Sequence, residues 1–508
     1  MALPVDFLEE VQRARAARDK GWLAMLAQDV QRLRFGRNGL REVARVQFEL
    51  RDLEAARRNW ETLRKSDPQD LEALFTLANI YERKFRDRGD PELLERSDQA
   101  LNAVVARNVL DAKDRAEALG QRARNLKTRW RQALGADMSI ADRRALACDR
   151  LLLDCFYHYH EAYVHDLNSF YTGLAALQVG VTLKSLQSEL QWHDLFDDER
   201  QEESQREKLD DLLPRLAHTV QVSIERTLSL DAVSEGEKQW ALVSRADLKF
   251  LCDEEAKLVA NPGSLVSAYR RAVPEPETFH WESVTGQLEL FVSLGIRTVA
   301  ARAVIDALTP RTPPAVKRQL LVVFAGHSID EPQRAVPRLP AAAEVRAREL
   351  IRGQLLRHQG VDVQVLASSA PGADILVHEV CAELGIPTVL CLPMPVEYVV
   401  QHAYGCLDGW RNRLLDIVRR QGTTIRILQS EAGLPRWLAQ SVIDPWDRGN
   451  RWMMAMAESW PADEHMLLAL WDCEESAGRI GGTTQIVELA RRTPNFKVEI
   501  IDSRTLLG

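Results

Sequence analysis

The chain has 508 residues, of which 45% are hydrophobic and 28% are charged, and its formal net charge is −8. That length supports several packed domains, and the acidic balance excludes the basic footprint typical of proteins that bind duplex nucleic acid. The seven cysteines show no CxxC spacing and the apolar runs are too short to span a bilayer, so we expect a reduced, cytoplasmic protein without membrane contact.

The first two thirds of the chain, from about residue 7 to 303, have the spacing of amphipathic helices. Apolar residues recur three and four positions apart, and β-branched runs are rare. A window at 37–70 fits the 34-residue period of the tetratricopeptide repeat, and a second unit begins at Leu71. In this second unit we expect an insertion, "KFRDRGDPELLER", before a helix near 97–105.

Residues 1–135 are therefore predicted to form a tetratricopeptide-like helical array. Small residues in each repeat let two helices approach closely, and an isolated pair leaves an apolar face open, so successive pairs stack. An amphipathic helical bundle without repeats is the alternative. Residues 136–307 are predicted to continue the helical region, with the acidic run 193–212 as an exposed connection. We expect no metal site, because the spacing of His160 and His165 does not match HExxH.

One segment of this helical region carries a recognisable pattern. Tyr163, Asp166, Tyr171 and Gly173 match a segment of the type YxxAF…D…YxGINA. Residues 20–305 thereby resemble the TRAFs-binding region of apoptosis-signal-regulating kinases and its bacterial relatives. The resemblance implies a helical scaffold that contacts a protein partner or self-associates, and it implies no chemistry.

The pattern changes after a Pro-rich stretch at 308–317, which we predict to be a linker. From 318 to 508, short continuous apolar runs alternate with helical patterns. Buried parallel strands connected by helices explain this alternation. The predicted fold class is α + α/β, with an N-terminal tetratricopeptide-like array and a C-terminal Rossmann-like, doubly wound parallel sheet.

Three predicted strand ends carry loops of small and polar residues. Such sheets bind ligands beyond the carboxyl ends of their strands, where glycines permit close backbone approach and helix N-termini favour anions. None of the loops is a Walker A or GxGxxG motif, so a phosphate-bearing ligand is predicted only from the three together. The candidate ligand-binding residues are Gly326, His327, Ser328, Ser368, Ser369, Gly372, Asp374, Gly481, Gly482, Thr483 and Thr484.

The order of these segments resembles that of the SLOG superfamily, a Rossmann-like group of nucleotide-sensing domains and phosphoribohydrolases. The matching segments are "FAGHSID", "SSAPGADILVHEVCAELG" and "WD…GGTTQIVELAR", within 318–508. The resemblance implies binding of a nucleotide or a nucleotide-derived second messenger, of the cyclic-nucleotide or ADP-ribose type. Bacterial proteins with this TPR–SLOG layout imply a setting in antiphage or stress signalling.

Whether the protein cleaves its ligand depends on a carboxylate beside the scissile bond. Hydrolases of that superfamily use "PGGxGTxxE", whereas this chain reads "RIGGTTQIVE" and places Glu488 four residues after Thr484. Glu379 is a second candidate, and His327 is either a general base or a donor to phosphate. This departure favours sensing without catalysis. A nucleotide N-glycoside hydrolase dependent on Glu379 or Glu488, and an interaction scaffold without a ligand, are the alternatives.

Overall fold

In the computed structural model of the protein, the described residues are 2–506 except 32, 108, 136, 275–277, 310–317, 332–333, 406, 422, 440–442 and 475–481. Contacts group the chain into two units. Unit one joins Met1–Leu63 to Ala315–Gly508, and unit two is Arg64–Pro314. The first helices of the chain thus belong with the C-terminal sheet, a grouping that the order of elements in the sequence does not indicate.

The chain begins with helices, as predicted. They are α1 (Val5–Ala16), α2 (Lys20–Val30), α3 (Gly36–Glu49) and α4 (Leu53–Ser66). The pair α3 and α4 is the first predicted repeat. Small and large apolar side chains of the pair are buried, among them Ala44 and Trp60. The Nδ2 of Asn59 donates to Oε1 of buried Gln47 at 2.7 Å and joins the two helices.

Unit two continues with helices only, in the part that the structure describes. They are α5 (Leu71–Arg88), α6 (Pro91–Val105), α7 (Ala112–Ala133), α8 (Ile140–Ala147), α9 (Arg150–His165), α10 (Phe170–Leu186), α11 (Glu199–Ser229), α12 (Glu235–Cys252), α13 (Glu255–Ala260), α14 (Pro262–Ala272), α15 (Phe279–Ser293) and α16 (Thr298–Leu308). The α5–α6 pair is the second predicted repeat, in which Ser97 Oγ donates to the carbonyl of Ala78 at 2.8 Å. These helices confirm the tetratricopeptide-like part of the prediction.

Two sequence expectations in this unit are wrong. The residues expected as an insertion finish α5 and start α6, because Gly89 closes α5 with φ +70° and Asp90 caps α6 at the Glu92 amide. The acidic run expected as an exposed connection forms most of the first half of α11. Leu209 and Leu213 bury one apolar face of that helix, while its charged residues cover the other face.

Two of the residues that carry the TRAFs-binding resemblance, Tyr163 and Gly173, pack together. A Cβ atom added at Gly173 in α10 would lie 2.6 Å from Val220 Cγ2 and 2.9 Å from Tyr163 Cδ2. Glycine therefore lets α10 approach α9 and α11 closely at this position. These two positions of the matched pattern thus have a packing role between three helices, whereas Tyr171 is exposed.

The C-terminal part of unit one contains a parallel sheet. Its strands are β1 (Gln319–Gly326), β2 (Asp362–Ala367), β3 (Thr388–Leu392), β4 (Thr424–Ile427), β5 (Glu464–Trp471) and β6 (Phe496–Asp502). Among the described residues these six strands are all parallel, in the order β4-β3-β2-β1-β5-β6. The connecting helices are α17 (Glu344–Leu356), α18 (Ala373–Leu384), α19 (Val396–Ala403), α20 (Asp408–Arg419), α21 (Pro445–Glu458) and α22 (Thr483–Arg492).

Helices cover both faces of this sheet. Successive β1 side chains point to opposite faces, and both sets are buried, Leu320 and Val322 on one face and Leu321 and Val323 on the other. The first face packs with α17 and α18, and α21 and α22 also pack against β1. The predicted α + α/β fold class is confirmed.

The N-terminal helices pack against this C-terminal part through α21. A Cβ atom added at Gly21 in α2 would lie 1.9 Å from the carbonyl oxygen of Ala455, so glycine permits backbone contact between the two helices. Nearby, Arg448 Nη2 of α21 lies 2.6 Å from Glu10 Oε1 of α1, and both side chains are buried. The indole Nε1 of Trp22 and that of Trp437 also donate to the Glu10 carboxylate.

Candidate functional site

The order of the strands reverses at β1. The chain passes outward through β2, β3 and β4 and then returns to β5, which pairs with the opposite edge of β1. Parallel sheets of this kind bind ligands beyond the carboxyl ends of their strands at such a switch point. The candidate site is therefore the crevice between the loops that follow β1 and β5.

His327 follows β1 directly and points its ring at the end of β5. Its Nε2 accepts a hydrogen bond from the Asp472 amide at 3.0 Å, so the proton of the neutral ring resides on Nδ1. Burial lowers the pKa of His327 below its ordinary value and keeps the ring neutral. Among the described residues no partner contacts Nδ1. The histidine is therefore placed to donate from Nδ1, and its Nε2 is not available as a general base.

Asp472 at the end of β5 is held from the loop that follows β1. Its Oδ2 lies 2.8 Å from Nε of Arg338, and both side chains are largely buried. Arg338 is positioned by its own loop, because Asp330 Oδ2 accepts the amides of Arg338 and Leu339 at 2.7 and 2.8 Å. A second cation of this loop, Arg334, lies 3.3 Å from Asp330 Oδ1. The loop thus brings guanidinium groups to the switch point.

Gly326 and Gly372 are required by the packing of two loops against each other. A Cβ atom at Gly326 would lie 2.3 Å from Ala373 Cβ. Gly372 has φ +125°, and a Cβ there would lie 2.4 Å from the amide nitrogen of Ile329. Ser328 pairs with Gly372 in an antiparallel bridge and is itself exposed. The close packing of these two loops therefore explains why both positions are glycine.

The loop after β2 contains buried polar atoms with unmet hydrogen-bonding capacity. Oγ of Ser369 and Oδ1 of Asp374 are buried and have no hydrogen-bond partner among the described residues. Burial raises the pKa of Asp374 to about 7, so the group holds its proton in weakly acidic solution. The Ser368 carbonyl accepts from His378, and the Ser369 carbonyl accepts from the Tyr404 hydroxyl. Orphaned buried groups of this kind are rare and call for a partner.

The two helix N-termini at the crevice differ. The first amide of α18, that of Ala373, already donates to the His327 carbonyl at 3.1 Å. The described residues exclude 475–481, just before α22. Among the described residues, no side chain caps the first turn of α22, and no atom lies within 4 Å of a Cβ position at Gly482, which has φ +90°. Thr483 is buried and Thr484 half-buried in that first turn, and predicted residue Gly481 lies outside the described residues. The start of α22 is therefore the more open anion site.

The two candidate catalytic carboxylates lie apart from this arrangement. Both oxygens of Glu379 are bound by guanidinium groups: Arg413 lies 2.7 and 2.6 Å away, and Arg348 lies 2.7 Å away. These arginines lower the pKa of Glu379, although burial opposes them. Glu488 is exposed in the second turn of α22, 3.6 Å from Arg492. Glu379 joins α17, α18 and α20 electrostatically, and neither carboxylate is paired with a crevice residue.

The described part of the chain contains no cluster of side chains arranged to bind a metal ion. No group of three or more His, Cys, Asp or Glu side chains there is arranged to hold a metal ion. His165 instead lies 3.8 Å from Glu161 within one helix. The crevice contains a neutral histidine, hydroxyls, the first-turn amides of α22, and guanidinium groups that are paired with Asp330 and Asp472. Of these groups, the hydroxyls and the amides suit binding of an anion.

Sequence reasoning did not include two residues that shape the crevice. Asp472 had a usable signal, since it is the polar residue that ends the apolar run of β5. The sequence carries no comparable signal for Arg338, because its loop has no motif and its partner Asp472 lies 134 residues further along the chain. Its role depends entirely on the fold.

Fold and site together define a protein with tetratricopeptide-like helices and a parallel α/β sheet with a crevice at its switch point. Residues 52–182 match the family model described as Tetratricopeptide Repeats-Sensor. No curated protein matches the chain. Within the described residues, no helix has both the length and the apolar character needed to cross a membrane.

Proposed function

We propose that this protein senses a nucleotide or nucleotide-derived second messenger, and that the ligand's phosphate binds at the start of α22. The observation that carries the proposal is that no described side chain caps the first turn of α22 behind Gly482, at the switch point of a parallel sheet. The SLOG resemblance supports a ligand of the cyclic-nucleotide or ADP-ribose type. The orphaned atoms of Ser369 and Asp374 offer further donors and acceptors at the same edge of the sheet.

A polar chain leads from this first turn to the N-terminal helices. Gln485 of α22 bonds Asp447 and Asn450 of α21, and the Asn450 contact is 2.9 Å long. Asp447 lies 3.3 Å from Arg451 Nε, and Arg451 Nη1 lies 3.3 Å from Asp29 of α2. Binding that moves or orders α22 would therefore act on α21 and α2. Helices of the tetratricopeptide type would provide the output, through a protein partner or self-association.

Two measurements test the proposal. Mass spectrometry of small molecules released from the denatured protein identifies any bound nucleotide. A thermal-shift screen with linear, cyclic and ADP-ribose-type nucleotides identifies those that stabilise the fold. We expect at least one nucleotide to raise the melting temperature of the natural chain.

A matched pair of variants locates the response. Gly482→Asp places a carboxylate at the proposed phosphate site. Gly360→Asp adds the same charge at a position with φ +96° and open space, just before β2 at the opposite end of the strands. We expect Gly482→Asp to reduce the nucleotide-induced shift and Gly360→Asp to retain it in full. Equal responses in the two variants, or no response to any nucleotide, would remove the basis of the proposal.

The biological setting follows from the resemblance to bacterial TPR–SLOG proteins. We place the sensor in antiphage or stress signalling, with the helical region engaging an effector. Plaque counts on cells that produce the natural chain or the Gly482→Asp variant test this setting. Protection that persists in the variant would separate any defence role from ligand binding at α22.

A further inference from the structure

Unit two contains a row of cations on one face of α7. Arg124, Lys127 and Arg131 follow one another three and four residues apart, so their side chains project from the same side of the helix. Arg86 of α5 joins them, since Arg86 and Arg124 both approach the buried carboxylate of Glu82, at 3.0 and 3.5 Å. These four cations are called the α7 cation face below.

The α7 cation face is poorly compensated by anions. Within the part of the chain that the structure describes, the one contact of Lys127 Nζ is the neutral Gln287 side chain of α15, at 2.8 Å, and that of Arg131 Nη2 is the Gly286 carbonyl, at 3.4 Å. Among the described residues, neither has a carboxylate within 4.0 Å. Like charges at i and i+4 destabilise a helix. A neutral residue would contact Gln287 at lower cost, so structure alone does not account for Lys127.

Several donors on this face are unused. Nη2 of Arg124 is buried without a hydrogen-bond partner among the described residues, and Nε has only its 3.5 Å ion contact with Glu82 there. The ammonium of Lys127 carries three donors and uses one of them here. Burial and the charge of Arg131 lower the pKa of Lys127 to about 8, which means that the charged ammonium is disfavoured in the protein without a ligand. A bound anion would favour the charged form.

The length of the row indicates the kind of anion. Seven residues of helix separate Arg124 from Arg131, which is about 10 Å along the axis. A single phosphate or carboxylate cannot contact all three α7 cations, whereas a chain of phosphate groups can. Guanidinium groups bind phosphate oxygens in pairs of hydrogen bonds, which suits such a ligand.

We propose that the α7 cation face is a second ligand site, which binds a small molecule carrying at least two phosphate groups. This site is separate from the one at α22, and its existence does not depend on the function proposed above. It would give the tetratricopeptide-like region a ligand of its own in addition to protein contacts.

The test uses the full chain in the Gly482→Asp background, so that the α22 site does not contribute. Inorganic triphosphate is titrated calorimetrically in the absence of magnesium, and sodium sulfate at equal ionic strength is the salt control. Lys127→Met removes a cation of the face. Lys113→Met removes the same charge from an exposed position in the first turn of the same helix.

We expect Lys127→Met to weaken triphosphate binding at least tenfold and Lys113→Met to leave it unchanged. Without anion, Lys127→Met should raise the melting temperature, because it removes a poorly solvated charge. A purely structural Lys127 would instead show a lower melting temperature with binding intact. Arg131→Gln should also weaken triphosphate binding. Because Arg131 is exposed, this change should not disturb the packing of the core.

Three outcomes would overturn the proposal. They are triphosphate binding no stronger than that of sulfate, equal affinities in Lys127→Met and Lys113→Met, and binding of an acidic peptide in place of triphosphate. The nucleotide-induced thermal shift of Lys127→Met with Gly482 intact is measured in parallel. Its survival or loss reports on the α22 site alone and keeps failure of the two proposals distinguishable.

Discussion

The buried ion pair between Glu10 and Arg448 offers the sharpest test of how unit one holds together. Both side chains are at most 1% exposed, and the guanidinium also lies 3.4 Å from Asp29. Arg448→Met leaves the buried Glu10 carboxylate without this counter-charge, whereas Asp29 keeps its pairing with Arg451. Removing one partner of a buried pair costs about 3–5 kcal/mol. The two indole donors to Glu10 remain, so we expect a value near the lower limit.

Hydrogen exchange of the native protein measures this cost locally, which suits a chain with two units. A loss of about 3 kcal/mol corresponds to roughly a hundredfold faster exchange. We expect that increase in peptides from α1 and α2 of the Arg448→Met variant, because these helices pack on α21 through this cluster. Nucleotide is left out of the experiment so that ligand binding does not mask the change.

An exposed ion pair of the same region provides the control. Arg15 and Glu49 pair with side chains that are 46% and 49% exposed. Glu49→Gln should cost less than about 1 kcal/mol, because water solvates and screens such pairs. The double variant Glu10→Gln with Arg448→Met should lose less than the sum of the single changes, since the amide keeps an acceptor for an indole. If Arg448→Met changes exchange no more than Glu49→Gln does, the buried cluster does not hold the N-terminal helices.

Three further predictions concern other parts of the chain. Gly21→Ala should destabilise unit one by about 1–3 kcal/mol in a urea titration, because the added methyl group meets the Ala455 backbone. The control Gly236→Ala, at an open helix position, should be neutral or stabilising in the same titration. Between about pH 4 and 7, Asp374 keeps its proton in the folded protein but has lost it in the unfolded chain, so the free energy of unfolding falls as pH rises through that window. Asp374→Asn should flatten this pH profile and be more stable than the natural chain at pH 8. An unchanged profile would contradict the burial argument. Glu379→Gln should lower the melting temperature, because Arg348 and Arg413 each lose one of their two carboxylate partners. It should leave any release of free base from nucleotides unchanged, and loss of such release would favour the hydrolase alternative.

Much of the architecture follows from local pattern in the sequence. The 34-residue period predicts the pairs α3–α4 and α5–α6, and the short apolar runs predict every strand from β1 to β6. Such patterns are readable because each helix or strand buries its own periodic face. Strand ends are equally readable, which is why His327 and Gly482 were identified as candidates. Local pattern was misread at the acidic start of α11, where widely spaced leucines such as Leu209 form the buried face.

Tertiary structure alone decided which distant segments meet. Glu10 and Arg448 are 438 residues apart, and no local pattern marks either as the partner of the other. Arg338 reaches Asp472 only because the sheet places β1 beside β5. The same contacts assign Gly326 and Gly372 to loop packing and, within the described residues, leave the first turn of α22 uncapped. Long-range pairing depends on the packing of whole elements, whereas periodicity in the sequence reports only which face of each element is buried.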